Sequence, residues 1–207
     1  MKNMKQIREI VIDTETTGVN AYKGDRLVEI GAVELINGKP SGRVFHQYIN
    51  PHRSIPKDIR AIHGLDTNFL RRYPCFKNIA PQFLDFIGND SILVAHNASF
   101  DLDFLNCELR RAGYRGLYNH RIVDTLKLAR QAFPNQRNTL DCLCNRFNVD
   151  NSMRSLHGAL LDARLLAEVY QHLRPRKFAK LRKLWTTLKQ AVFAPFDRNR
   201  QIQRIIY

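Results

Sequence analysis

No stretch of the 207-residue chain approaches the roughly 18 consecutive apolar residues that read as a membrane span. The first ten residues, MKNMKQIREI, have neither an apolar h-region nor a small-residue cleavage site, which argues against a secretory signal. Cysteine is scarce, and Cys75, Cys107, Cys142 and Cys144 contain no C-x-x-C spacing. Cys142 and Cys144 fall two apart in a helical pattern and point away from each other. A zinc or disulfide framework is therefore disfavoured, and a reduced, cytoplasmic protein with buried thiols is expected. There is no internal repeat and no low-complexity segment. Acids are nearly missing from one end: residues 173–207 hold ten Lys/Arg against Asp197 alone, with no glycine.

What is present fits a soluble α/β protein. The composition is 44% hydrophobic and 25% charged, ordinary for a globular domain, and the length suits one domain plus an appendage. The formal charge of +14 favours a polyanionic partner, of which nucleic acid is the commonest. The β-branched run ending in DTETTG reads as a buried strand. LVEIGAVELI (27–36) is a second strand, Asn37-Gly38 a hairpin turn, and GRVFHQYI (42–49) the returning strand. KDIRAIHG reads as a short helix ending at Gly64, and IAPQFLDFI (79–87) as a helix with Pro81 in its first turn. SILVA (91–95) is a strand buried on both faces. It is followed by an amphipathic helix closed by Gly113, a brief strand at 122–123, and helices over 124–133, 139–147 and HGALLDARLLAEVYQHL. A hairpin followed by alternating strands and helices predicts a mixed central sheet flanked by helices.

Residues 174–207 read as a separate basic, amphipathic segment. A helix over 176–193 would align Phe178, Leu181, Leu184, Trp185, Leu188 and Val192. That stripe packs on the domain's own core or docks on a partner, with the basic faces left to meet phosphate.

The chemistry concentrates in a few carboxylates. Asp13 and Glu15 are two apart at a strand end, so both side chains point to one face. Like charges that close repel unless a proton or cation intervenes, and hard divalent cations take carboxylate oxygens. Asp101 opens the helix after the SILVA strand, at an edge where α/β sheets build sites. His157 and Asp162 are five apart and would diverge by about 140° within one helix. They converge only if His157 stands before the helix start, a junction that Gly158 permits.

DTETTG (13–18), HNASFD (96–101) and HGALLD (157–162), in that order, resemble the three motifs of the DEDD exonuclease superfamily, histidine branch. Over residues 7–172 the chain is most similar to the proofreading epsilon subunits of bacterial DNA polymerase III. The resemblance implies a ribonuclease H-like fold over 1–173 and 3′→5′ hydrolysis of a single-stranded or frayed DNA end. It implies two divalent cations, Mg²⁺ or Mn²⁺, on Asp13, Glu15, Asp101 and Asp162, with His157 as general base. Two metals about 3.5–4 Å apart clamp the attacking and leaving oxygens of such a displacement. Thr16, Asp58, His63, Asn97 and Phe100, with Asp13, Glu15 and Asp162, are the implied substrate contacts. The implied protein partners are the polymerase's catalytic (alpha) subunit, the sliding clamp and a small accessory subunit. RNA-processing exonucleases share these motifs, and an idle polymerase-bound scaffold is the third reading, against which the complete acid set argues. QAVFAPF (190–196) is only a loose echo of a clamp-binding motif.

Overall fold

The computed structural model describes residues 6–154 and 156–174. Strand β1 (Arg8–Thr16) is central, because Ile10, Val11 and Ile12 are buried on alternating faces. It pairs antiparallel with β2 (Leu27–Ile36), which pairs with β3 (Lys39–Tyr48). On its other side it runs parallel to β4 (Ile92–Ala95), followed by β5 (Arg121–Asp124). The sheet order is β3-β2-β1-β4-β5. The C-terminal ends of β1, β4 and β5 thus open together on one edge, the place where such sheets accept ligands.

Helices follow in chain order: α1 (Lys57–His63), α2 (Thr67–Leu70), α3 (Phe76–Ile87), α4 (Ala98–Arg111), α5 (Thr125–Ala132), α6 (Leu140–Phe147) and α7 (Ala159–Leu173). They cover both faces of the sheet. Ile10 and Ile12 pack with Phe76, Phe83 and Phe104 from α3 and α4. Val11 and Val94 pack with Leu143 and Leu166 from α6 and α7. The period-2 alternation of β1 therefore sends Thr14 toward α4, and Asp13 and Glu15 toward α7.

Several sequence expectations are corrected. Helix α3 starts at Phe76, not at residue 79, because the Phe76 ring is fully buried and draws an extra turn onto the core. Pro81 consequently lies inside the helix rather than in its first turn. It sits on the exposed side and forfeits one backbone hydrogen bond there. Strand β3 begins at Lys39 rather than Gly42, since Asn37 and Gly38 both take positive φ, as a two-residue hairpin requires. Pro40 is tolerated because β3 is an edge strand. Helix α2 and a 3₁₀ turn at Ala21–Lys23 were not anticipated; Asp66 and Asn20 cap them through short side-chain bonds. All four cysteines are free thiols, but only Cys107 and Cys144 are buried; Cys75 and Cys142 are half-exposed. The expected helix over 176–193 falls outside the described residues.

Two features seat α7 against the strand end. Gly31 lies directly opposite Asp13 across the β1–β2 ladder. A Cβ there would come within 2.2 Å of the Ala159 backbone, so the absent side chain is what lets the first turn of α7 touch the sheet. At the far end Tyr170 donates its hydroxyl to Glu9 Oε1 at 2.8 Å, and Arg174 pairs with Glu9 Oε2 at 3.1 Å. Helix α7 is pinned at both ends to β1 and its neighbour.

Candidate active site

A cleft of about 760 Å³ opens at the shared edge of β1, β4 and α7. Asp13, Glu15, Asp101 and Asp162 all line it, together with His157. Each arrives by a separate structural route. Asp13 and Glu15 come from the last turns of the β1 pleat, where the ladder with β2 is interrupted by a register shift at Glu15/Thr16. Such bulges commonly re-aim side chains at sites. Asp101 comes from the first turn of α4, 4% exposed, and accepts a 2.8 Å hydrogen bond from Thr14 Oγ1. Asp162 comes from the first turn of α7 and is 2% exposed. His157 precedes the helix, Gly158 being its extended N-cap, and its Nδ1 lies 3.3 Å from Asp162 Oδ2. Its backbone N–H donates to the Ile62 carbonyl, which ties this loop to the end of α1.

The acids are not electrostatically alike. Burial raises Asp13 well above the ordinary carboxylate range, and Asp101, Glu15 and Asp162 push it further. Burial also lifts Glu15, with Glu29, Asp162 and Asp101 adding to the effect, to about 8. Glu29 faces Glu15 directly across the β1–β2 ladder and is met on its other side by His46 Nε2 at 2.7 Å. Asp101 is lifted by burial to about 7 despite its bond from Thr14. Burial acts on Asp162 too, but the hydrogen bonds donated by Arg154, with the His157 ring close by, outweigh it and hold that carboxyl low.

A cluster of buried, mutually repelling oxygen donors is the environment a hard divalent cation relieves. One ligand atom each from Glu15, His157 and Asp162 lies within 4.8 Å of the others. Asp13 and Asp101 line the same cleft without joining that tight group. The donor set therefore fits divalent cations held by carboxylate oxygen.

The remaining expected contacts divide. Asn97, in the left-handed conformation, and Phe100 line the cleft. Thr16, His63 and Asp58 do not. Thr16 is buried and donates to the Gly18 carbonyl. His63 is 5% exposed, with Nδ1 accepting from the Leu65 N–H at 3.0 Å. That leaves Nε2 to donate to the Thr16 carbonyl at 3.3 Å, and burial keeps the ring's pKa below its usual value. His63 thus supports the turn after β1 from beneath. Asp58 is solvent-exposed on α1.

Arg154 lines the cleft and bonds Asp162, and sequence reasoning passed it over. It stands three residues before His157, inside the third motif's own approach, yet nothing in periodicity separates it from the many other arginines. Arg130, Arg137 and Asn138 also line the cleft, from α5 and the loop after it.

Comparison with known proteins agrees with fold and site. The Exonuclease (RNase_T) family model matches residues 10–170, so this is an exonuclease domain. The chain is 53% identical over 173 residues to DNA polymerase III subunit epsilon of Rickettsia felis, covering 82% of this chain and 75% of the relative. It is 45% identical over 205 residues to that of Rickettsia typhi, covering 98% of this chain and 84% of the relative. Against the Salmonella typhimurium subunit identity is 46% over 170 residues, 79% and 70% of the two chains. The chain belongs to the epsilon-subunit family of DNA polymerase III, whose members are 3′→5′ exonucleases. Among solved structures, exonuclease X in complex with 5′-overhanging duplex DNA aligns with a TM-score of 0.62 at 26% identity, covering 80% of this chain and 90% of that one. Escherichia coli exonuclease I with a dT13 oligonucleotide shares the fold, with a TM-score of 0.71 at 15% identity over 88% of this chain and 43% of that one.

The raised Glu15 carboxyl gives a stability prediction independent of turnover. A group whose folded pKa is raised from 4.5 to about 8 makes the metal-free fold lose stability as pH climbs between those values. Glu15→Gln cannot ionise, so it should raise the metal-free thermal midpoint at about pH 9 and leave it little changed at about pH 4. Scanning calorimetry at both pH values checks this; equal effects at both would contradict the assigned environment.

Proposed function

We propose that this chain removes mispaired 3′-terminal nucleotides from DNA as 5′-monophosphates, using Asp13, Glu15, Asp101 and Asp162 to hold two divalent cations, Mg²⁺ or Mn²⁺. The observation that carries this reading is the convergence of all four acids and His157 on one open cleft at the sheet edge. When bound, the cations supply charge neutralisation at the reacting phosphate and a water of lowered pKa.

The chain's own residues do the rest. His157 stands at the cleft with its side chain 47% exposed, so solvent and substrate both reach it. Its imidazole, when neutral, accepts the attacking water's proton as general base. Asp162 lies alongside to stabilise the imidazolium that results. Thr14 holds Asp101 against rotation through a bond to Oδ1, fixing its carboxylate at the cleft. Phe100 offers a ring face for the terminal base, itself braced by Phe104 at 5.0 Å between centroids. Arg130 and Arg137 on the rim meet the phosphates of the incoming strand. The cleft admits one strand end, so an unpaired terminus, cheaper to unstack than a paired one, is the favoured substrate.

Mutation separates these roles. Asp13→Ala and Asp162→Ala should each abolish hydrolysis of single-stranded DNA, while His157→Ala should lower the rate by on the order of 10²–10⁴ and flatten the acid limb of its pH–rate profile. Matched DNA and RNA oligonucleotides, with and without a 3′ mismatch, form the assay panel. Wild-type rates in either Asp variant would overturn the site, and preference for RNA would overturn the proofreading role.

Proofreading also requires attachment, and the reading extends to the DNA polymerase III alpha subunit as partner, with the sliding clamp and a small accessory subunit, in the cytoplasm. Among the described residues no helix is long and apolar enough to cross a membrane. The support for attachment through the tail is the basic sequence of 176–207 with its apolar positions at helical spacing. A tether of this kind gives effective concentrations in the millimolar range. Deleting 176–207, which spares the Arg174–Glu9 pair, should leave hydrolysis of short single strands nearly unchanged and abolish co-purification with the alpha subunit. Retained co-purification would place the contact elsewhere.

A further inference from the structure

The most closely engaged cation in the cleft belongs to the protein itself. Arg154, 8% exposed in its side chain, lies in the loop between α6 and α7. Its Nε donates to Asp162 Oδ1 at 2.5 Å and its Nη2 to Asp162 Oδ2 at 2.7 Å. Both oxygens of the carboxylate are thereby engaged in a two-pronged, charge-assisted contact, the strongest ordinary pairing available to a carboxylate. The same Nη2 lies 2.9 Å from His157 Nδ1. A guanidinium only donates, so Nδ1 must accept, which consumes the lone pair on that side and leaves the imidazole's proton on Nε2. The third nitrogen, Nη1, donates to Asp141 Oδ1 at 2.5 Å. Asp141 is half-exposed on α6 and is also reached by Asn151 Nδ2 at 3.3 Å.

We propose that Arg154 is a built-in counter-ion that occupies Asp162 and His157 in the metal-free protein and must release Asp162 before a divalent cation binds there, pivoting on Asp141. The inference rests on the reading of Asp162 as a metal ligand. Three observations carry it. The guanidinium sits on the same carboxylate that joins Glu15 and His157 in the tight donor group. It is buried, so its attraction to Asp162 is little screened. Its anchor on Asp141 lies toward solvent, giving the side chain a place to go that keeps one ion pair and lets water meet the freed N–H groups.

The arrangement has a use. An epsilon-family domain with an empty acid cluster would carry several mutually repelling carboxylates in a confined space. Arg154 pairs with both oxygens of one of them and engages His157 Nδ1 with the same guanidinium. The nuclease is thereby folded and idle until cation arrives, and the released guanidinium stands at the rim with Arg130 and Arg137, where a phosphate would meet it.

Direct titration tests the idea. Metal-free full-length wild type, R154K, R154Q and D162N would be titrated with MnCl₂ by isothermal calorimetry, with thermal midpoints recorded before and after saturation. R154K keeps the positive charge but cannot span both oxygens of Asp162. The expected result is that R154K and R154Q both bind Mn²⁺ about tenfold more tightly than wild type or better, within the usual span of competitive coupling. The R154Q midpoint should fall without metal and recover at saturation. Affinities of both variants equal to or below wild type would overturn the proposal. So would tightening in R154Q alone, which would mean diffuse charge repulsion rather than displacement of the two-pronged contact. Should R154Q fail to fold, R154K decides the matter by itself. D162N separates the two layers of the argument: wild-type Mn²⁺ affinity in D162N would overturn the metal-site reading itself, whereas weakened D162N with unchanged R154K would overturn only the role of Arg154.

Discussion

Four carboxylates brought into one cleft cannot all be ionised there without compensating positive charge, and much of this structure can be traced to that constraint. Burial first, and repulsion from neighbouring carboxylates after it, lift Asp13, Glu15 and Asp101 out of the ordinary acid range. Only Asp162 is held low, because Arg154 supplies a cation in direct contact. The cluster is therefore poised to take up positive charge. Protons, the guanidinium and divalent metal compete for the same oxygens, and the site's chemistry follows from which of them wins.

The scaffold that holds the acids together is apolar and two-sided. Phe76, Phe83 and Phe104 are fully buried on one face of the sheet, and Leu143 and Leu166 on the other. Burying each such side chain contributes roughly 1.5–3 kcal/mol. Position follows from the same packing. The parallel β1–β4 pair sets Asp101 beside Thr14, and the bare Gly31 lets α7 deliver Asp162 to within reach of Glu15. A methyl at Gly31 would meet the Ala159 backbone and move that delivery away from the strand.

The central features were legible in the sequence because they rest on local rules. Alternation in β1 placed Asp13 and Glu15 on one face, and the hairpin and SILVA strand fixed a mixed sheet. The five-residue spacing of His157 and Asp162 required the histidine to stand outside the helix, which it does. What escaped was set by tertiary contact. The burial of Phe76 lengthened α3 past Pro81, and the edge position of β3 admitted Pro40. His63 and Asp58 do not line the cleft: His63 bonds the Thr16 carbonyl and Asp58 is exposed on α1. Glu29 became a neighbour of Glu15 only through strand pairing, and Arg154 reached the cleft only through its contact with Asp162 on α7. Pairings of that kind, 8 to 17 residues apart or across a ladder, leave no periodic signature.

The most direct measurement is anomalous diffraction from crystals soaked with Mn²⁺ and a deoxynucleoside 5′-monophosphate. The account predicts manganese peaks among the carboxylates of Asp13, Glu15, Asp101 and Asp162, with the nucleotide phosphate between them and His157 and the Arg154 guanidinium withdrawn from Asp162. Manganese absent from these carboxylates, with the nucleotide bound elsewhere, would contradict it.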